Sequence, residues 1–179
     1  MTSGSLVTLW TVRAACVLYV FALAAGIARR PSEGRWLWTL GFACFLGHVL
    51  AAFAFHHHWS HRAAYEDTAR QTAALFRIRS GAGLYFNYAF LAIWAADVVW
   101  MWWNAAGHRG RPRWIAIAIH VFMAFMFFNG AVVFASGWIR WFGIAAVCFF
   151  SLRSLLLSGR MAARKSRSWP HSPAIEEDL

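Results

Sequence analysis

Histidine is concentrated in one stretch of this chain, Gly47 to Tyr65, GHVLAAFAFHHHWSHRAAY, which holds five of the eight in the sequence. Imidazole offers a nitrogen lone pair that suits zinc, copper, iron or nickel. Residues three or four apart on a helix share a face and can point at one ion. Cys44, His48, Ala52 and His56 follow at four-residue steps, His57 and His61 keep the same spacing, and His58 and His61 are three apart. Consecutive side chains cannot all face one way, so at most two of His56, His57 and His58 join His61. The candidate metal site is therefore His48, His57, His58 and His61, completed by Glu66 or Asp67. The same run also serves as a set of interfacial anchors, because histidine is at home where an apolar phase meets water.

Haem is the other ligand that histidine suggests. His48 and His120 lie well inside apolar runs, but at about 1.5 Å per residue they stand ~9 Å apart along the helix axes, too far to share one haem. One axial histidine, or His48 paired with a loop histidine, satisfies the spacing. No C-x-x-C-H is present, which excludes covalent c-type attachment.

Other polar groups occur inside apolar runs, where each needs a partner or a function. Arg13 falls at a depth similar to His48, and Asn87, Asn129 and Arg140 fall near the same end of three further runs. These four form an expected polar cluster beneath the histidines. Toward the opposite end Asp97 and His120 stand at matching depth, an expected acid–imidazole pair that either braces two helices or relays protons. Cys16, Cys44 and Cys148 sit near mid-depth; thiols there pack as small apolar groups, and Cys44 beside His48 also suits copper(I). Lys165, the only lysine, lies in the tail, so no intramembrane Schiff base forms.

The elements that must position these groups are apolar helices. The chain of 179 residues is 60% hydrophobic and 13% charged, with twelve tryptophans; soluble domains carry about 25% charge. Runs long enough to cross a bilayer occur at about 6–28, 36–55, 84–103, 114–135 and 138–157. The segment 56–80 is an Ala-rich amphipathic connection with Arg62, Glu66 and Arg70 spaced at four, and Gly81 and Gly83 end it. The tail 158–179 reads as disordered. Ala43, Gly47 and Ala51 make a small-residue seam suited to close helix packing or to self-association.

Lys and Arg outnumber Asp and Glu by 17 to 7. In a multi-span chain this excess sets topology, and no basic run is built as a nucleic-acid module. Arg29, Arg30, Arg35, Arg109, Arg111, Arg113, Arg153, Arg160, Arg164, Lys165 and Arg167 share one side; Arg62, Arg70, Arg77, Arg79 and Arg140 share the other. The larger set marks the cytoplasmic side, placing the N-terminus and the histidine loop outside and the C-terminus inside.

FHHHWSHRAAYEDTARQT (55–72), GLYFNYAF (83–90) and FMAFMFFNGAVVFA (122–135) resemble a group of small bacterial polytopic membrane proteins with no assigned function. The resemblance spans most of 36–135. It implies a multi-pass protein of the bacterial cytoplasmic membrane and supplies no activity or site residues. The expectation is thus an all-α integral membrane bundle of five helices with an outward histidine site. That site takes a transition metal (copper, iron or zinc) or haem for redox chemistry or metal handling. The rival readings are a cofactor-free subunit, partnered by other membrane proteins or by itself, and a small proton-coupled carrier using Asp97 and His120.

Overall fold

The computed structural model describes residues 2–167, with side chains to residue 156. Among them every regular element is helical: α1 Ser3–Ile27, α2 Pro31–Phe55, α3 His61–Phe76, α4 Gly83–Trp103, α5 Ala105–Arg109, α6 Arg113–Phe128 and α7 Trp138–Arg167. A π turn, Asn129–Val133, extends α6. Five of these helices are long and apolar enough to span a membrane: α1, α2, α4, α6 with its π turn, and α7 to Leu156. Their exposed large side chains, among them Trp103, Trp141, Val121 and Leu155, are lipid-facing surface in a bilayer.

The spans close a ring in which α2 packs on α1 and α4, α4 on α6, α6 and its π turn on α7, and α7 on α1. α1 and α2 run antiparallel in contact from end to end. A Cβ on Gly4 would stand 2.5 Å from the Phe55 ring, and one on Gly34 would stand 3.7 Å from Ala25. Of the small-residue seam, Ala51 is buried, Gly47 faces Thr11 of α1, and Ala43 is exposed. The seam therefore serves α1–α2 packing over most of its length.

The ring's centre is aromatic. Trp94 is 1% exposed and lies 5.2 Å from the Trp38 ring and 5.3 Å from Phe90. Gly41 admits the Trp94 indole, which would stand 3.0 Å from an added Cβ. Tyr19 stacks on Phe127 at 5.1 Å, and Met123 is fully buried beside them. This packed layer separates the two ends of the bundle.

Two boundaries differ from expectation. α2 begins at Pro31, ahead of the expected 36, because proline is well suited to the first helical turn, where its missing N–H has no partner to lose. α7 continues to Arg167, past the expected end at 157. Its extension, SGRMAARKSR, is built mostly of good helix formers (Arg, Met, Ala, Lys) despite Gly159, with basic residues toward the helix C-terminus. The rest of the tail expected to be disordered, 168–179, lies outside the described residues.

Candidate functional site

The histidine run is where α2 stops. Trp59 N–H reaches back to Phe53 O (3.0 Å), and Ser60 N–H donates to His57 O (2.8 Å). His58 and Trp59 take left-handed backbone angles, with φ 47° and 58°. Such helix ends satisfy orphan carbonyls with a reversed residue that is usually glycine; here two bulky residues occupy it, a local strain. Ser60 then caps α3, its hydroxyl accepting from Ala63 N–H at 3.2 Å. The turn leaves His56 and His57 at the cavity rim, His57 half-buried and His56 exposed, with His58 exposed and outside the lining.

Beneath that turn lies a cavity of about 970 Å³, walled by α1, α2, α4 and the end of α6, and roofed by α3. α2 lines it with Phe45, His48, Val49, Ala52, Phe53 and His56, one helical face repeating at three and four residues. α1 contributes Thr8, Val12, Arg13 and Cys16, α4 contributes Phe90 and Asn87, and the π turn contributes Asn129 and Gly130. π turns occur often at functional sites. Asn129 sits at the junction, its amide donating to Phe125 O at 2.8 Å.

His48 is the best-defined group in the cavity wall. Its Nδ1 is 2.8 Å from the backbone carbonyl of Thr8. A carbonyl only accepts, so Nδ1 carries the proton, and in the neutral form of the ring the lone pair is on Nε2. Metal-ligating histidines characteristically have their second nitrogen fixed in this way. Arg13 stands out for the opposite reason. Its guanidinium lies 5.2 Å from the Trp10 ring and 5.6 Å from Trp138, and its Nε is buried without a hydrogen-bond partner.

The expected metal set is divided by the fold. His48, His57 and Glu66 line the cavity, but His61 turns away, its Nδ1 3.0 Å from the Tyr88 hydroxyl, and His58 is exposed. Glu66 accepts from Arg62 at 3.0 Å, and Asp67 accepts from Arg70 and Gln71 at 2.8 and 2.9 Å. Among the described residues no three His, Cys, Asp or Glu side chains gather as a metal-holding group. Of the expected polar cluster, Arg13, Asn87 and Asn129 share the cavity. Arg140 does not; its neighbour Ile139 lines the wall, and one residue turns a helix by about 100°. Burial holds the His57 imidazole below its ordinary pKa, opposed by Asp67 and reinforced by His56, Arg70 and His58.

At the other end the expected Asp97–His120 pair is replaced. Asp97, 5% exposed, accepts from Arg111 at 2.5 Å, and His108 Nε2 stands 3.1 Å from the same oxygen. Arg111 is also 2.7 Å from that Nε2, which either accepts from Arg111 or donates to Asp97, never both. His120 makes no hydrogen bond to Asp97; its ring meets the edge of Trp38 at 6.1 Å and stays within electrostatic reach of Asp97, Arg111 and His108. Equal depth had suggested the pair, but α6 turns His120 toward α2, while the basic connection folds back through α5 to reach Asp97. Asn104 holds that fold by accepting from Gly107 N–H at 2.7 Å. Nearby, Arg35 lies over the Trp102 ring at 4.3 Å and donates to Met101 O at 3.3 Å.

Sequence reasoning missed four partners: the Thr8 carbonyl, Arg111, His108 and Tyr88. For Asp97 a signal existed, since the one acid inside a span lies near the short basic turn that follows it. In comparisons with protein families, curated proteins and solved structures, nothing matches this chain.

Proposed function

We propose that this chain is a five-span protein of the bacterial cytoplasmic membrane whose histidine end faces outward. We further propose that its cavity binds a metal-bearing ligand through His48, haem in preference to a bare copper, iron or zinc ion, for redox chemistry at that face. The supporting observation is the Nδ1–Thr8 hydrogen bond, which leaves His48 Nε2 as a lone pair in a cavity of about 970 Å³. Small-molecule and cofactor pockets fall in the range of roughly 300–1,000 Å³ and combine apolar walls with a few placed polar groups. Haem brings four nitrogen ligands of its own, so one fixed imidazole holds it, and Phe45, Phe53 and Phe90 supply apolar wall. A bare ion asks for several converging side chains, and the division of His57, His58 and His61 among three surroundings favours it less.

Charge supports the orientation. Arg29, Arg30, Arg35, Arg109, Arg113 and Arg153 belong to the end opposite the histidines, and excess arginine marks the cytoplasmic side. The Arg111–Asp97 ion pair engages the carboxylate that a proton-coupled carrier would use, which favours that rival less.

A visible spectrum with elemental analysis of the untagged protein in mild detergent tests the assignment. The expected result is a Soret band with near-stoichiometric iron, lost in His48→Ala and kept in His61→Ala. Metal without a Soret band, lost in His48→Ala, would select the bare ion. A colourless, metal-free protein would overturn the proposal in favour of a cofactor-free membrane subunit.

A further inference from the structure

Arg13 sits ten residues into α1, about 15 Å from its first residue. A guanidinium that far inside an apolar span is costly, and such groups are almost always paired with an acid or with backbone carbonyls. Here the pairing is missing. Glu66 and Asp67 line the same cavity but are held by Arg62, and by Arg70 and Gln71. No hydrogen bond or ion pair to Arg13 occurs among the described residues, and its Nε is buried without a partner. What surrounds it is aromatic: Trp10 one turn back on its own helix and Trp138 at the start of α7.

Ring faces stabilise a cation and fix its plane without using its N–H donors. The donors of Arg13 are therefore unspent, and the side chain lines a cavity whose wall also carries Asn87 and Asn129. Guanidinium donors match the oxygens of a carboxylate or phosphate, which they bind two at a time. Around this polar spot the wall is apolar, with Phe45, Phe90, Phe125 and Met126.

We infer that Arg13 is the oxyanion subsite of this cavity, and that the ligand is an amphiphile with a carboxylate or phosphate on Arg13 and an apolar body among the phenylalanines. The inference rests on the cavity being a ligand site and is independent of coordination by His48. A haem propionate and a lipid headgroup share this chemistry.

Two matched pairs of probes separate these sources: dodecanoic acid against dodecanol, and haemin against its dimethyl ester. Each is titrated into the purified protein in neutral detergent at a pH where the acids are ionised. Tryptophan fluorescence is the readout, because Trp10 and Trp138 flank Arg13. The acid is expected to bind about tenfold or more tightly than its neutral partner in at least one pair, as suits a charge-assisted hydrogen bond. Arg13→Gln should bring acid and neutral partner level while the neutral partner's own affinity holds. A preference in the fatty pair alone names a lipid-type anion; one in the porphyrin pair names haem. Equal affinities within both pairs in the wild-type protein would overturn the inference, and that comparison needs no variant to fold. A preference that survives in Arg13→Gln would overturn it as well. His48→Ala distinguishes the two proposals: it should abolish haemin's coordination spectrum and leave the fatty-acid preference intact.

Discussion

The two ends of the bundle hold similar polar inventories and treat them oppositely. At the Asp97 end, acid, guanidinium and imidazole close on one another within 3.1 Å, and Arg35 finds an aromatic face and a carbonyl, although its Nε, like that of Arg13, is buried without a partner. At the histidine end, Arg13 has rings but no acid, and His48 has one nitrogen bonded and the other free. A buried charge that completes its own network holds helices together. One left incomplete beside a cavity of about 970 Å³ is what supports the proposed ligand site. The aromatic layer of Trp38, Trp94 and Phe127 keeps the two arrangements apart.

The sharpest way to break this contrast is to open the closed end. Asp97→Ala strands Arg111, whose side chain is 11% exposed, as a buried cation. Removing one partner of a buried pair costs about 3–5 kcal/mol. Thermal unfolding in detergent should show this as the largest loss among the variants considered, while ligand binding at the histidine end is unchanged in whatever folded protein remains. Replacing both partners with apolar residues, Asp97→Leu with Arg111→Met, should recover most of the loss. If the double variant is as unstable as the single one, the network does more than neutralise itself.

A smaller effect should come from the roof. Gly81 lies under Tyr65, whose ring and carbonyl would both stand 2.6 Å from an added Cβ. Gly81→Ala must push α3 away from the start of α4, at about 1–3 kcal/mol for an overpacked contact. Hydrogen exchange should rise in His61–Phe76 and stay level in α1 and α2. Uniform exchange in all helices would mean that α3 is not an independently movable roof.

His48→Ala should cost less again, about 1 kcal/mol for one neutral hydrogen bond to the Thr8 carbonyl. The contrast with Asp97→Ala is the point: a ligand-directed residue loses binding with little stability, a bracing residue the reverse. A loss of stability as large as that of Asp97→Ala would place His48 in the structural class.

How much of this the sequence carried follows from what a helix repeat encodes. Apolar run length marked the five long apolar helices, and Gly81 and Gly83 marked the start of α4, while the amphipathic helix His61–Phe76 is shorter than the segment 56–80 expected for it. Counting residues along the axes put Arg13, Asn87 and Asn129 at one end, and all three line the cavity, whereas Arg140, counted to the same end, is rotated out of it. It brought Asp97 and His120 within electrostatic reach but not into a hydrogen bond, because equal depth says nothing of which way each helix is rotated. It failed for His58 and His61, whose directions are set by a reversal of the chain at two residues with positive φ. The Thr8 carbonyl was beyond reach, since every residue has one and only the packed pair shows which is used.

The smallest effect is that of pH on the histidine end. In the unfolded chain His57 takes up its proton near about pH 6.5, whereas burial, helped by His56, His58 and Arg70 and opposed by Asp67, lowers that value in the folded protein. Between the two values the unfolded state holds more protons, so stability rises with pH. Its contribution is present above the unfolded value, falls as the solution is acidified through that range, and stops falling once the folded ring is also charged. Because His57 is only partly buried, the change should be a shallow slope in unfolding midpoint between neutral and mildly acidic pH. His57→Gln should flatten that slope without altering the midpoint at neutral pH by more than a small amount. An unchanged slope in His57→Gln would assign the pH response to other groups. The histidine end would then differ from the Asp97 end in what it binds, not in how it answers protons.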